Sequence, residues 1–302
     1  MRIFTIEYSG RPFENWANLG DDIQSLAAKR LVPEKTDGIS KENLDKSIES
    51  GVISMNGFFT GGAGWPPAEG LVPFFYSFHI AAESKEEICS EKGLAYLRQF
   101  EPIGCRDRGT MNILLSHGIE AYYSKCISLT FARREQVPEN GKVFLVSLSK
   151  GAMSAIPRKL RKKAVVVDQS KLRLPSLRPQ TRELLAQHLL DTYAKHASLV
   201  ITSKIHCAMP CIAMGIPVVF IYDKRKKNDY RVEIINDLIG INYVGESFIS
   251  RKLINPLIGK FFNWSPVPLD IEQDKKSIKD GYLKALDSAA GRYQARQQQT
   301  CG

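Results

Sequence analysis

A chain of 302 residues, 43% hydrophobic and 25% charged, is long enough for two ordinary domains and is not the composition of a disordered protein. Its formal charge of +10, from 42 Lys and Arg against 32 Asp and Glu, favours phosphorylated small molecules, polyanions or anionic membrane surfaces as partners. The opening residues MRIFTIEYSGRPFENW carry no secretion signal, and the longest apolar run (207–222) is broken by Pro210, Gly215 and Pro217, so a cytoplasmic protein is expected.

In chain order, RIFTIEYS (2–9) is expected to be a buried strand and DDIQSLAAKRLV (21–32) a helix, with apolar residues at 23, 26, 27 and 31. GVISMNGFF (51–59) and LVPFFYSFHIA (71–81) read as strands, EKGLAYLRQF (91–100) as a helix and EPIGCRD (101–107) as a short strand. GTMNILLSHG (109–118) reads as a helix and IEAYYSKCISLTF (119–131) as a strand. The polar stretch ARREQVPENGK (132–142) reads as a linker. The rhythm then restarts, with strands at 143–148, 163–169, 198–203 and 217–222 and helices at 178–197, 205–215 and 277–299. This alternation predicts α/β architecture with parallel sheets covered by helices. The expected units are an N-terminal Rossmann-like domain (1–135) and a C-terminal Rossmann-like domain (142–302) that ends in a helix. Ligands in such sheets bind outside the carboxyl ends of the strands, which directs attention to the cleft between the units.

Three junctions there carry chemistry. In SLVITSKIHCAMP, Ser203, Lys204 and His206 fall between a strand and a helix. Ser203 is placed to cap that helix, Lys204 adds a cation, and His206 in the first turn can donate a hydrogen bond or a proton to an anion. In PIGCRDRGT, Arg106 offers a planar fork for a carboxylate or phosphate, and Asp107 is placed to cap the next helix. In NLGDDIQS, Asp21 and Asp22 open a helix near the cleft, where caps are the commoner role of such residues. No P-loop or dinucleotide fingerprint occurs. The six cysteines include no CxxC pair and are expected to be reduced thiols, with no metal site.

Taken together, NLGDDIQSLAA, GCRDRGTMNILLSHGIEAYYSKCISLTF (104–131) and ASLVITSKIHCAMPCIAMGIPVVFI (197–221) resemble the polysaccharide pyruvyl transferase family. The middle segment is similar to its G-x-R-D-x-x-T…G-I-x-A-Y-x-S-x-C pattern, and the last to V-x-T-S-R-x-H-x-A-x-P…A-x-G-x-P-V-V. Lys204 stands where the family has Arg. The resemblance implies two Rossmann-like domains in a glycosyltransferase-B-like arrangement, the N-terminal one facing the acceptor and the C-terminal one the donor. It implies transfer of a pyruvyl unit from phosphoenolpyruvate to two hydroxyls of a sugar in a polysaccharide, such as an exopolysaccharide, or in its lipid-linked precursor. The products would be a pyruvate ketal and phosphate. No cofactor or metal is implied, since phosphoenolpyruvate is a co-substrate. Matched by motif, Arg106, Ser203, Lys204 and Ile205 are expected to bind phosphoenolpyruvate. His206 is expected to be the catalytic acid or the hydrogen-bond donor that stabilises the leaving phosphate, Asp107 the hydroxyl base, and Asp21 or Asp22 to lie on the acceptor side.

Two rival readings stay open: a glycosyltransferase of similar fold with a nucleotide-activated or phosphorylated sugar donor, and a non-catalytic scaffold. The basic runs RKLRKK (158–163) and DKRKKNDYR (223–231) come without nucleic-acid-binding signatures, so no nucleic acid is expected as partner. With the loop GFFTGGAGWPPAEG (57–70) they could instead dock peripherally on an anionic membrane at its inner face, although a packed, turn-rich connection is the expected role of that loop. FFNWSPVPLD (261–270) could support a sugar face or brace the C-terminal helix.

Overall fold

A computed structural model describes residues 1–8, 17–32, 36–59, 64–173, 177–227 and 229–300. The first unit contains β1 (Ile3–Glu7), α1 (Leu19–Leu31), β2 (Asp37–Ser40), β3 (Gly51–Phe59), β4 (Leu71–Ile80), α2 (Lys85–Ile88), α3 (Glu91–Arg98), β5 (Ile103–Cys105), α4 (Arg108–Ser116) and β6 (Ala121–Tyr123). The second contains β7 (Lys142–Val146), α5 (Lys150–Ala155), α6 (Arg158–Lys163), β8 (Val165–Val167), α7 (Pro179–His196), β9 (Ala197–Thr202), α8 (Ile205–Ala213), β10 (Val218–Asp223), α9 (Glu233–Ile239) and β11 (Asn242–Val244). Then follow α10 (Asn255–Ile258) and α11 (Glu272–Thr300).

The strands form one sheet ordered β2-β1-β3-β4-β5-β6 and another ordered β11-β10-β9-β7-β8. Every pairing in both is parallel, for example Val52 opposite Ile3 and Leu145 opposite Ile201. Parallel neighbours need long crossovers, and the intervening helices supply most of them. Helices on both faces bury the central strands from both sides, which is why LVPFFYSFHI of β4 is apolar at most positions and buried at all ten. In each sheet the first strand lies inside, and the chain leaves it in opposite directions: β2 and β3 flank β1, and β8 and β9 flank β7. Each sheet therefore has a switch point beside its first strand, where a crevice opens at the strand ends. The two Rossmann-like units face each other across a cleft, the glycosyltransferase-B-like arrangement expected.

The structure departs from the sequence reading at several places. The 119–131 strand stops at Tyr123, because Lys125 takes a φ of 60° and turns the chain. Residues Ile127–Thr130 form a 3-10 turn instead, held by an N–H of Ile127 donating to Ser77 Oγ at 2.9 Å. The run RKLRKK is a short helix, α6, with none of its residues buried. α11 packs across β3 and β4 of the first sheet rather than on the second unit. Tyr282 is fully buried there, 5.1 Å from Phe74 and 5.7 Å from Tyr76 between ring centres, and its hydroxyl donates to Ser54 Oγ.

Of the aromatic loop 57–70, residues 60–63 lie outside the described residues. Beyond them Trp65 packs against Phe75, Phe78 and Tyr96, so this side of the loop is a packed connection. In 261–270, Phe262 and Trp264 pack on the satellite core of the second unit, away from the cleft. Cysteines 89, 105, 126, 207 and 211 are free thiols, while Cys301 lies outside the described residues.

Candidate active site

Both switch points open into one cavity of about 1040 Å³. Tyr8, Asn18, Gly20 and Asp21 reach it from the segment after β1, Arg106 from the end of β5, and Ser147–Ser149 from the end of β7. Asp168–Lys171 follow β8, Ser203–His206 follow β9, and Tyr222–Lys226 end β10. Seven basic side chains line it, Arg106, Lys171, Lys204, Arg225, Lys226, Arg231 and Arg251, against the acids Asp21, Asp168, Asp223 and Glu246. Several acids are already engaged. Asp223 accepts from Arg225, Asp168 from Ser147 and Ser170, and Glu246 from Ser149 and the N–H of Gly151. The cavity is an anion trap by composition.

Local sequence explains how His206 enters it. Pro210 stands four residues after His206 in IHCAMP and has no N–H to offer the His206 carbonyl. The first turn of α8 is kinked, with His206 at φ −84° and ψ 17°. The freed carbonyl accepts from Gln169 Nε2 at 3.4 Å. Gly20 lets α1 approach, since a Cβ there would lie 3.2 Å from the His206 Cβ. His206 is 7% exposed, and its Nε2 has no hydrogen-bond partner among the described residues. Burial, then the positive charge of Arg106, pushes its pKa well below the ordinary histidine value, so the ring is neutral.

Arg106 is 1% exposed, with Nη1 donating to Gln24 Oε1 at 3.4 Å and Nε 3.5 Å from Asp107 Oδ2. Its Nη2 has no partner among the described residues. A buried guanidinium with an unused donor at a cavity wall is a ready half of an anion clamp. Lys204 is half-buried and in no salt bridge among the described residues. Burial lowers its pKa, Asp168 works against that, and Lys226, Lys171 and Arg231 add to it. Ile205 lines the same wall.

Asp21 faces the cavity and accepts from Asn18 Nδ2 at 3.0 Å. Burial, then the neighbouring Asp22 carboxylate, raises its pKa to about 7. A carboxyl group with that value in the same cavity as a histidine suits proton transfer.

The structure does not bring every expected residue to the cavity wall. Asp22 turns away and accepts from Arg182 Nε at 3.1 Å and Nη2 at 3.0 Å, a buried pair that fastens α1 to α7. Asp107 caps α4, accepting from the Thr110 N–H at 2.8 Å, as its place in the sequence suggests. Its other oxygen lies 2.7 Å from His79 Nδ1. Burial opposes ionisation of Asp107, but the hydrogen bond with His79 and the charge of Arg106 outweigh it, so its pKa is lowered. Burial, then Arg106, holds His79 at about 4, so at neutral pH a neutral imidazole donates Nδ1–H to the carboxylate. Asp107 is thus fully engaged behind Arg106, which explains why it is not placed as a free base. Ser203 does not cap α8. The Lys204 N–H goes to Thr202 Oγ1 at 3.0 Å, and Ser203 Oγ has no partner among the described residues although the residue lines the cavity.

Three site residues were not singled out in the sequence. His79 ends β4, and its only signal was a polar residue in an apolar run. Gln24, on the buried face of α1, had none. Gln169 stitches the units together: its carbonyl accepts from the Leu19 N–H at 2.8 Å and its Oε1 from Tyr193 at 3.3 Å.

No group of three or more metal-ligating side chains occurs among the described residues. No helix among them is long and apolar enough to cross a membrane.

Among solved structures, a functionally uncharacterized protein of Klebsiella pneumoniae is 12% identical, covering 81% of this chain and 93% of that one, with a TM-score of 0.45. The H548A form of the wall teichoic acid polymerase TagF is 9% identical over 98% of this chain and 89% of that one, also at 0.45. A UDP-GlcNAc 2-epimerase of Neisseria meningitidis is 11% identical over 94% and 100%, at 0.39. Likeness this distant assigns no activity. No curated protein matches the chain. The sequence profile of polysaccharide pyruvyl transferases matches residues 18–225, well over half of the chain and all three of the motifs that meet at the cavity. The chain belongs to the polysaccharide pyruvyl transferase family.

Proposed function

We propose that the protein transfers the pyruvyl unit of phosphoenolpyruvate to two hydroxyls of a sugar, forming a cyclic ketal and releasing phosphate. The observation that carries this reading is the meeting of Arg106 from one unit with Lys204 and His206 from the other, in one cationic cavity of a family member. Phosphoenolpyruvate has two anionic ends, and the cavity offers cations on both sides of the cleft. Arg106 takes the carboxylate or the phosphate through its unused Nη2, and Lys204 takes the other group as a point charge.

The reaction needs a proton on the methylene carbon, which makes C2 electrophilic. One sugar hydroxyl then adds to C2 and gives up its proton. The second hydroxyl adds as the C2–O bond to phosphate breaks, giving up its own proton, and inorganic phosphate leaves. Burial and nearby cations keep His206 neutral, and a bound dianion raises its pKa by opposing them. It then acts as the acid, or donates a hydrogen bond to the departing phosphate. Asp21, with its pKa near neutrality, takes the hydroxyl proton in place of Asp107, which instead holds Arg106 in position. The acceptor enters from the first unit and is a saccharide, free or lipid-linked.

The test is calorimetry with phosphoenolpyruvate and with UDP- and GDP-sugars, followed by phosphate-release assays on His206→Ala and Arg106→Ala. Saturable phosphoenolpyruvate binding, lost in Arg106→Ala, is expected. His206→Ala should lower turnover by about 10²–10⁴-fold with thermal unfolding unchanged. Binding of nucleotide-sugars with none of phosphoenolpyruvate would replace this reading by the glycosyltransferase one.

A further inference from the structure

Residues 247–263 lie on the outside of the second unit as a π-helical turn (Ser250–Ile254), α10 and a 3-10 turn (Gly259–Phe261). An ordinary surface helix turns its apolar stripe to the core, but this segment leaves most of its large apolar side chains in solvent. On its protein side the small or polar Ser250, Asn255 and Gly259 are buried, and Ile258 and Phe262 pack partly on the core of the second unit. The Asn255 amide donates to the carbonyls of Gly245 and Gly151 and accepts from the Gly245 N–H. Gly259 sits so close to α5 that a Cβ would come within 2.0 Å of the Ala155 carbonyl oxygen. Most of the large apolar residues point to solvent: Phe248 is 68% exposed, Ile249 62%, Leu253 63%, Leu257 57% and Phe261 88%. The polar contacts lock this orientation, so the apolar face is not free to turn inward.

We propose that this face inserts into the surface of an anionic lipid bilayer. Contiguous exposed apolar side chains on one short segment mark a contact surface rather than the scattered exposure common to all proteins. The charge around them selects the occupant. Lys252 and Lys260 are exposed on the same segment, Arg251 lies beside them, and residues 247–269 contain no Asp or Glu. Aromatic and aliphatic side chains interspersed with cations suit the interface of a bilayer bearing anionic headgroups. A second copy docked through the same patch would set these lysines against each other with no carboxylate from the segment to answer them. Arg251 of the same turn lines the cavity, so docking here holds the cavity against the membrane. This inference does not depend on the donor proposed above.

The experiment is co-sedimentation of the full chain with vesicles of equal parts phosphatidylglycerol and phosphatidylcholine, and with phosphatidylcholine alone. The wild type is expected to bind the anionic vesicles. The Leu253→Ser, Leu257→Ser double variant should bind them about tenfold less or weaker, since binding scales with buried apolar area, while remaining monodisperse with unchanged circular dichroism. Lys252→Glu with Lys260→Glu should also lose binding and salt sensitivity, which keeps the test open if the serine variant folds poorly. Wild type that ignores anionic vesicles, or variants that bind them as well as wild type, would overturn the proposal. So would a wild-type dimer that the serine variant dissociates without any vesicle binding, since a second copy would then be the occupant.

Discussion

His206 and Asp21 face the same cavity, and burial suppresses the charge of each. A histidine resists its proton and a carboxyl keeps one to about pH 7, so the pair can exchange roles once an anion arrives. Asp21→Asn should lower turnover by about 10²–10⁴-fold and remove the pH dependence centred near neutrality, measured as phosphate release across pH. Stability should move the other way. Asp21 has a folded pKa raised from 3.8 to about 7, so the native state holds the proton more tightly than the unfolded chain. The stability this proton contributes is complete below the unfolded value and is lost as pH rises through about 7. Asp21→Asn should therefore melt higher than wild type above neutrality and about equally in acid, as read by thermal scans at the two extremes. Arg106, Lys204 and His206 were legible as residues of the site because each follows a strand end. The roles of Asp21 and Asp107 were not, because they depend on Asp22, His79 and burial, and His79 lies 28 residues before Asp107 in sequence.

α1 and α7 illustrate what an element can do beyond covering a sheet. They cross the cleft and are fastened by Arg182 and Asp22, both nearly inaccessible to solvent. Arg182→Ala should cost about 3–5 kcal/mol in chemical denaturation, because it strands a buried carboxylate. Replacing both partners by apolar residues of similar volume should cost far less, since no charge is then left alone. The long elements of the fold were legible: apolar periodicity located the α7 helix and the β3, β4, β7, β9 and β10 strands to within a few residues. The short ones were not. β2 and β11 are edge strands of four and three residues, too brief for an alternating pattern to register. α6 has no fully buried residue and only Leu160 half-buried on the core, so its residues carried only a charge run. The strand expected at 119–131 broke on Lys125, whose left-handed backbone no composition rule anticipates.

At the scale of the molecule, part of the excess positive charge of +10 falls at the cavity, where seven basic side chains meet four acids. Donor binding should therefore weaken with ionic strength, by about an order of magnitude in Kd between roughly 0.05 M and 0.5 M salt as screening tightens, measured by calorimetry at several salt concentrations. The alternation of strands and helices made the two parallel sheets legible. It did not say where α11 belongs, because an amphipathic helix announces that one face is covered but not by what. That helix supplies Tyr282 to the core of the first sheet, and Gly281 lets it sit against Tyr76, whose hydroxyl would lie 2.6 Å from a Cβ there. The consequence is one of timing. During synthesis, residues 272–300 emerge after all strands of the second sheet, so the first sheet waits with Phe74 and Tyr76 uncovered while more than a hundred residues are made. Cut out without that helix, the N-terminal half would leave Phe74 and Tyr76 without their Tyr282 contact. It finishes folding only when its last helix returns to it from the far side of the cleft.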